Sequence, residues 1–175
     1  MSLIRRRRLS SYLATIPEDR SCEYFSASAA ALHYSAHHKR RRSFAAIKKR
    51  NRQVLRQMET NSYGLIDDER AIRGLGSLKR SSSLEHLALQ HVTRMAKRTK
   101  VCHSVDSLPA LQKKLQSTLV GENVQSGNSV VEMHHFAMAG QDTSRSNILG
   151  AEFTQVGVAV CKGRDSQMYM CQLFR

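Results

Sequence analysis

Cysteine, acidic side chains and long apolar runs are all scarce in this chain. Its four cysteines, Cys22, Cys102, Cys161 and Cys171, in 175 residues are too few for a small domain stapled by disulfides, and they read as free thiols. Cys161 and Cys171 fall on two strand-like runs. A hairpin closing around residues 162–166 sets Cys161 opposite about position 167, and a disulfide needs Cα atoms within about 7 Å, which argues against their direct pairing. No stretch approaches the roughly 20 apolar residues of a membrane span. The longest small apolar run, Ala29-Ala30-Ala31-Leu32, is shorter than the apolar core of a secretory signal, about 7–15 residues. Three chemical signatures are missing as well. No serine sits in a nucleophile elbow, no helix carries two His four apart around a Glu, and no cysteine–histidine spacing matches a zinc finger.

Acid is scarcest at the front. Residues 1–60 hold 14 Lys/Arg against 4 Asp/Glu, whereas residues 61–175 hold 14 against 10. Arg5 to Arg8 and Lys39 to Arg42 are like-charge blocks set in Ser- and Ala-rich sequence. Such composition buries too little apolar surface to offset the entropy of ordering. Residues 1–43 therefore read as a disordered basic extension, or a targeting segment, ahead of one domain over 44–175. Glu18, Asp19 and Glu23 count against a transit peptide, which is acid-poor. Organellar and nuclear locations stay open.

The rest of the chain alternates between helical and strand patterns. From Phe44 to about Arg73, spaced Val54, Leu55, Met58, Leu65, Ile66 and Ile72 predict one or two helices broken near residues 61–64. Ser81 to Ser83 offer an N-cap for a helix running to about Lys100. Its apolar face carries Leu84, Leu87, Ala88, Val92, Met95 and Ala96, and Glu85, Arg94, Lys97 and Arg98 face water. His91, one position off that face, reads as a packing histidine. Leu108 to Leu115 predicts a short helix begun by Ser107 and Pro109. Ser117 to Gln125 reads as a strand with Glu122 near its end. Ser129 to Ala139 reads as a helix with Val130, Val131, His134, Phe136 and Met138 inward, and residues 153–161 and 167–174 as an antiparallel pair. Helices, one strand, a helix and a terminal hairpin make an α+β chain, a three-layer α-β-α sandwich with helices on both faces of a sheet.

Four short pieces of the last third carry a resemblance. They are Gly121-Glu122-Asn123, Asn147-Ile148-Leu149, the run from Phe153 to Val160 that includes Gly157, and Tyr169 to Phe174 with Gln172. With His103 in Cys102-His103-Ser104, and with residues 67–74 and 84–91 falling where the first two helices fall, the chain resembles the CAP superfamily, or SCP domain. The resemblance covers roughly residues 60–175. It implies the same α-β-α sandwich, usually extracellular, with a surface cleft that in many members holds a divalent metal such as zinc between two His and two Glu.

By position His103 matches the first His and Glu122 the first Glu, and imidazole and carboxylate are both good zinc ligands. Glu132 is placed near the second Glu. Ser144 stands where relatives have the second His. His134 or His135 could substitute, but neighbours on a helix diverge by about 100°, so at most one points in. The alternative is that Glu122 bonds backbone or His103 and ties the cleft together. Adjacent Cys102 and His103 point to opposite faces of an extended chain and make a poor nucleophile–base pair.

Three functions follow. The first is a non-enzymatic binding module using the cleft around His103 and Glu122, for a sterol, another lipid or a protein partner. The second is a metal-dependent hydrolase or peptidase of the same fold. The third is nucleic acid or an anionic surface held by the basic residues 1–56, among them Lys48, Lys49, Arg50, Arg52 and Arg56.

Overall fold

Two strands near the C-terminus set the plan of the molecule, because their side chains alternate between two different cores. In the computed structural model, Val156, Val158, Val160, Met170 and Phe174 enter one apolar cluster, while Ala159, Tyr169, Cys171 and Leu173 enter another. That period of two is what a strand buried on both faces requires. The structure describes residues 27–104, 108–140 and 143–175, with side chains from Ala45 onward, Leu108 apart. The elements in order are α1 (Ala27–Ala71), β1 (Lys79–Arg80), α2 (Ser82–Arg98), α3 (Leu108–Leu115), β2 (Gly121–Gly127), α4 (Val130–Ala139), α5 (Thr143–Leu149), β3 (Gln155–Lys162) and β4 (Met168–Phe174).

The chain divides into two units, residues 1–47 and 48–175. In the first, the described backbone is helical from Ala27; the disordered stretch expected over 1–43 otherwise lies outside the described residues, as do Cys22 and Ser107. The second unit holds a sheet of order β1-β3-β4-β2, with β1 parallel to β3 and the other pairs antiparallel. Side chains from α1, α4 and α5 fill the first cluster, and those from α2 and α3 fill the second. This is the three-layer sandwich expected. No described helix is long and apolar enough to cross a membrane.

Several local expectations are corrected. α1 runs unbroken through residues 61–64, because Ser62 and Tyr63 are buried against the sheet and that packing outweighs their modest helix propensity. β2 starts at Gly121, four residues later than expected, so Glu122 stands near its beginning. Local bonds explain the delay: Ser117 Oγ donates to Leu119 O, and Gln112 Nε2 donates to Thr118 O, taking that backbone away from the ladder. The buried face of α4 is Val130, Met133, His134 and Ala137, the i, i+3, i+4, i+7 stripe. Val131 and Phe136 lie outside that stripe, and Phe136 is 81% exposed. Cys161 stands opposite Tyr169 rather than position 167, and Cys171 opposite Ala159. Cys102, Cys161 and Cys171 are free thiols.

Candidate functional site

Glu122 shares a face with its cross-strand neighbour Leu173, which packs toward α2. Its side chain is only 7% exposed. Oε2 accepts two hydrogen bonds, from His103 Nδ1 at 3.0 Å and from the Ser104 backbone N–H at 2.9 Å. Oε1 has no hydrogen-bond partner and lies 3.9 Å from His91 Nε2. A carboxylate only accepts, so His103 Nδ1 carries a proton, on a side chain 75% exposed.

His91 is nearer to this site than its sequence position suggested. The ring is buried, and Nε2 lies 2.8 Å from Cys102 O. A carbonyl cannot donate, so Nε2–H donates, and the ring pins the residue next to His103. The packing-histidine reading therefore holds, with an added role in shaping the loop. The available signal was its position one step off an apolar stripe, seven residues before the end of α2.

On the other face of β2, Asn123 anchors a buried polar chain. Asn147 Nδ2 donates to Asn123 Oδ1 at 2.9 Å, and Asn123 Nδ2 donates to Gln172 Oε1 at 3.1 Å and to Ser144 O at 3.0 Å. Gln172 Nε2 in turn donates to Ser62 Oγ at 3.0 Å. The amides in Gly121-Glu122-Asn123, in Asn147-Ile148-Leu149 and at Gln172 thus meet in one network, each with a partner for its buried polar atoms. Gly121 packs closely on this network: an added Cβ would stand 2.6 Å from Asn147 Oδ1, so the Asn147 side chain would have to shift.

The other site candidates go elsewhere. Glu132 is exposed at the start of α4, where Ser129 Oγ accepts from Glu132 N and Glu132 Oε2 accepts from Asn128 N, a reciprocal helix cap. His135 is exposed. His134 is buried on the α1/α4 side of the sheet, with Nε2 3.9 Å from Glu69 Oε1 and neither ring nitrogen hydrogen-bonded. Ser144 is half-buried on α5. Among the described residues no group of three or more His, Cys, Asp or Glu could hold a metal. Zinc sites take three or four protein ligands, and here one imidazole is exposed while one oxygen of its carboxylate partner holds two donors and the other is buried. The residues do not fit a resident zinc ion.

The buried His134 ring carries a prediction of its own. Burial pushes its pKa below the usual value, opposed by Glu69 and Asp68 of α1, while neighbouring His135 adds to the depression. The unfolded chain therefore takes up the proton first. Stability is complete above the unfolded value of about 6.5 and is lost as pH falls below it toward the folded value. In His134→Phe, urea unfolding between pH 7.5 and 5.5 should lose less stability than in the wild type; equal losses would remove His134 from the acid response.

The profile of the cysteine-rich secretory protein family, CAP, matches residues 63–174. The chain belongs to the CAP family. Among solved structures, a cysteine-rich secretory protein from Staphylococcus aureus aligns with TM-score 0.54 and 26% identity over 67% of this chain and 38% of that one. An extracellular SCP-domain protein from Bacillus anthracis gives 0.59 and 19% over 70% and 41%. An outer surface protein from Borrelia burgdorferi gives 0.57 and 19% over 64% and 86%. This CAP chain thus spans about two-fifths of the first two relatives. A search of curated protein sequences gives no match.

Proposed function

We propose that this CAP domain is a binding module that takes its partner on the loop carrying His103 and does not cleave it. The observation behind this reading is the engagement of Glu122. Its Oε2 holds the His103 ring and the Ser104 amide together, so the carboxylate fixes the shape of residues 102–104. Oε2 is taken up in this way and Oε1 is buried beside His91 Nε2, so neither oxygen is well placed to serve as general base to a water molecule. When the ring is neutral, His103 then offers one acceptor, Nε2, on a side chain 75% exposed. That suits a partner with a donor group, which favours a protein surface over the apolar body of a sterol or other lipid.

Thermal unfolding of the full chain tests this, with and without zinc, for wild type, His103→Ala and Glu122→Gln. A metal ion at about 100 times its dissociation constant stabilises the native state by about 2.7 kcal/mol. The expected result is no zinc-dependent shift in any of the three. His103→Ala should cost about 1 kcal/mol, because the buried Glu122 keeps the Ser104 N–H as a donor. Glu122→Gln should cost more, because with its oxygen kept on Ser104 N–H and His103 its amide NH2 replaces Oε1 beside His91 Nε2–H, donor against donor. A zinc shift in the wild type that both substitutions abolish would overturn the reading in favour of a metal-dependent hydrolase.

A further inference from the structure

Helix α1 carries a cationic track that the site around Glu122 does not use. Between Glu23 and Glu59 the sequence has no Asp or Glu, yet it holds nine Lys/Arg. In the second unit Lys48, Lys49, Arg50, Arg52 and Arg56 are all exposed on α1. At 100° per residue, Lys48, Lys49, Arg52 and Arg56 fall within an arc of about 100°. Lys48, Arg52 and Arg56 follow one another at i, i+4 and i+8, about 6 Å apart along the axis. Like charges at that spacing repel, and over 48–56 no acid intervenes to relieve them. Such an arrangement disfavours the isolated helix slightly and suits an external polyanion.

The track ends at a cleft of about 420 Å³ between α1, α2 and the open edge of β3, lined among others by Arg56, Glu59, Tyr63, Arg80 and Glu85. The acids there accept from donors of the fold, and Glu59 also interacts electrostatically with Arg56. Glu59 Oε1 accepts from Val160 N at 3.2 Å, and Glu85 Oε1 accepts from Tyr63 OH at 2.7 Å. Tyr63 OH also accepts from Val158 N at 2.9 Å. Arg80 lies over the Tyr63 ring, 4.1 Å from its centroid, which presents a second guanidinium in the same cleft as Arg56.

We propose that α1 docks the phosphodiester backbone of a nucleic-acid strand along Lys48, Lys49, Arg52 and Arg56, with Arg80 continuing the track. Cations about 6 Å apart in one line present a row of positive charge to the successive phosphates of one strand. An anionic membrane is the weaker fit. Insertion needs an apolar face of useful size, and the large aliphatic side chains exposed on this part of α1 are Ile47 and Val54, while Leu55, Met58 and Leu65 turn to the core.

The test measures binding of the full chain to fluorescein-labelled oligothymidylate by anisotropy over a range of KCl concentrations. The variants are Lys48→Gln/Arg52→Gln/Arg56→Gln and a charge-matched control, Lys97→Gln/Lys100→Gln/Lys113→Gln, from α2, the segment after it and α3. Glutamine keeps helix propensity, and the thermal midpoint checks the fold of each. Each lost phosphate contact on a single strand lowers the salt slope by about 0.7, so the track variant should lose about 2 in slope and bind about 100-fold more weakly at about 0.1 M salt. The control should retain both slope and affinity. Equal weakening in both variants would reduce the effect to net charge and overturn the proposal, and so would no weakening in either. Vesicles containing phosphatidylserine form a parallel arm; binding there, lost in the track variant, with none to oligothymidylate, would assign the track to a membrane.

Discussion

Gly157→Ala should lower the stability of the domain by about 3 kcal/mol, or roughly 10 °C in the thermal midpoint, although it adds a single methyl group. A Cβ at Gly157 would stand 2.4 Å from Glu85 N, from the Leu84 carbonyl carbon and from Leu84 Cβ. Two of these three atoms are backbone, so no rotamer change or shortening of side chain 84 relieves the contact. α2 would have to lift away from β3, and with it Leu84, Ala88, Val92 and Met95, which fill the core on that side. Gly64, on α1, has nothing within 4 Å of an added Cβ and provides the internal control. Gly64→Ala should stabilise by about 0.5–1 kcal/mol, the ordinary gain of alanine over glycine in a helix. If thermal unfolding gave the two substitutions the same sign, close packing of α2 on the sheet would not be what Gly157 provides.

This contrast between two glycines indicates what kind of information the sequence carried. Periodicity reports which face is buried, and where an element is long and amphipathic it was read correctly. The apolar stripe of α2 lies buried as expected, and β3 and β4 pair as a hairpin. The short pieces at Gly121, Asn147, Gly157 and Gln172 identified the family because each meets a steric or hydrogen-bonding demand that few residues satisfy. Other features had no local signature. β1 is two residues long, too short for any alternation. Glu85 was expected in water, yet it is half-buried and accepts from Tyr63 OH, a bond between residues 22 apart that no pattern within α2 encodes. His91 looked like a packing residue and is one, but its contact with the Cys102 carbonyl depends on how the chain turns back after α2. His103 and Glu122 come together while Glu132, His134 and His135 do not, because one strand position and one helix start decide which faces they occupy.

The largest effect expected of any single substitution belongs to a buried cation at the end of α1. Arg70 sits on the last turn of α1 and is 2% exposed. Its Nε donates to Gly76 O at 2.8 Å, and Nη1 donates to Ile148 O at 2.9 Å and to Gly150 O at 2.8 Å. Two of these carbonyls lie at or just past the end of α5, where a helix leaves acceptors without partners. Arg70→Met keeps an unbranched stem, shorter than that of arginine, and strands three carbonyls, each at about 1–3 kcal/mol if buried. A loss of about 3–5 kcal/mol in urea unfolding is expected. Arg70→Lys should recover only part of it, because an ammonium cannot reproduce the planar fork that spans two loops. The consequence reaches the site, since α5 carries Asn147, whose side chain holds Asn123 next to Glu122. Amide hydrogen exchange in Arg70→Lys should therefore rise over residues 143–149 and at Asn123, ahead of global unfolding. Uniform acceleration across the whole sheet would instead mean that Arg70 supports the entire fold and does not hold α5 in particular.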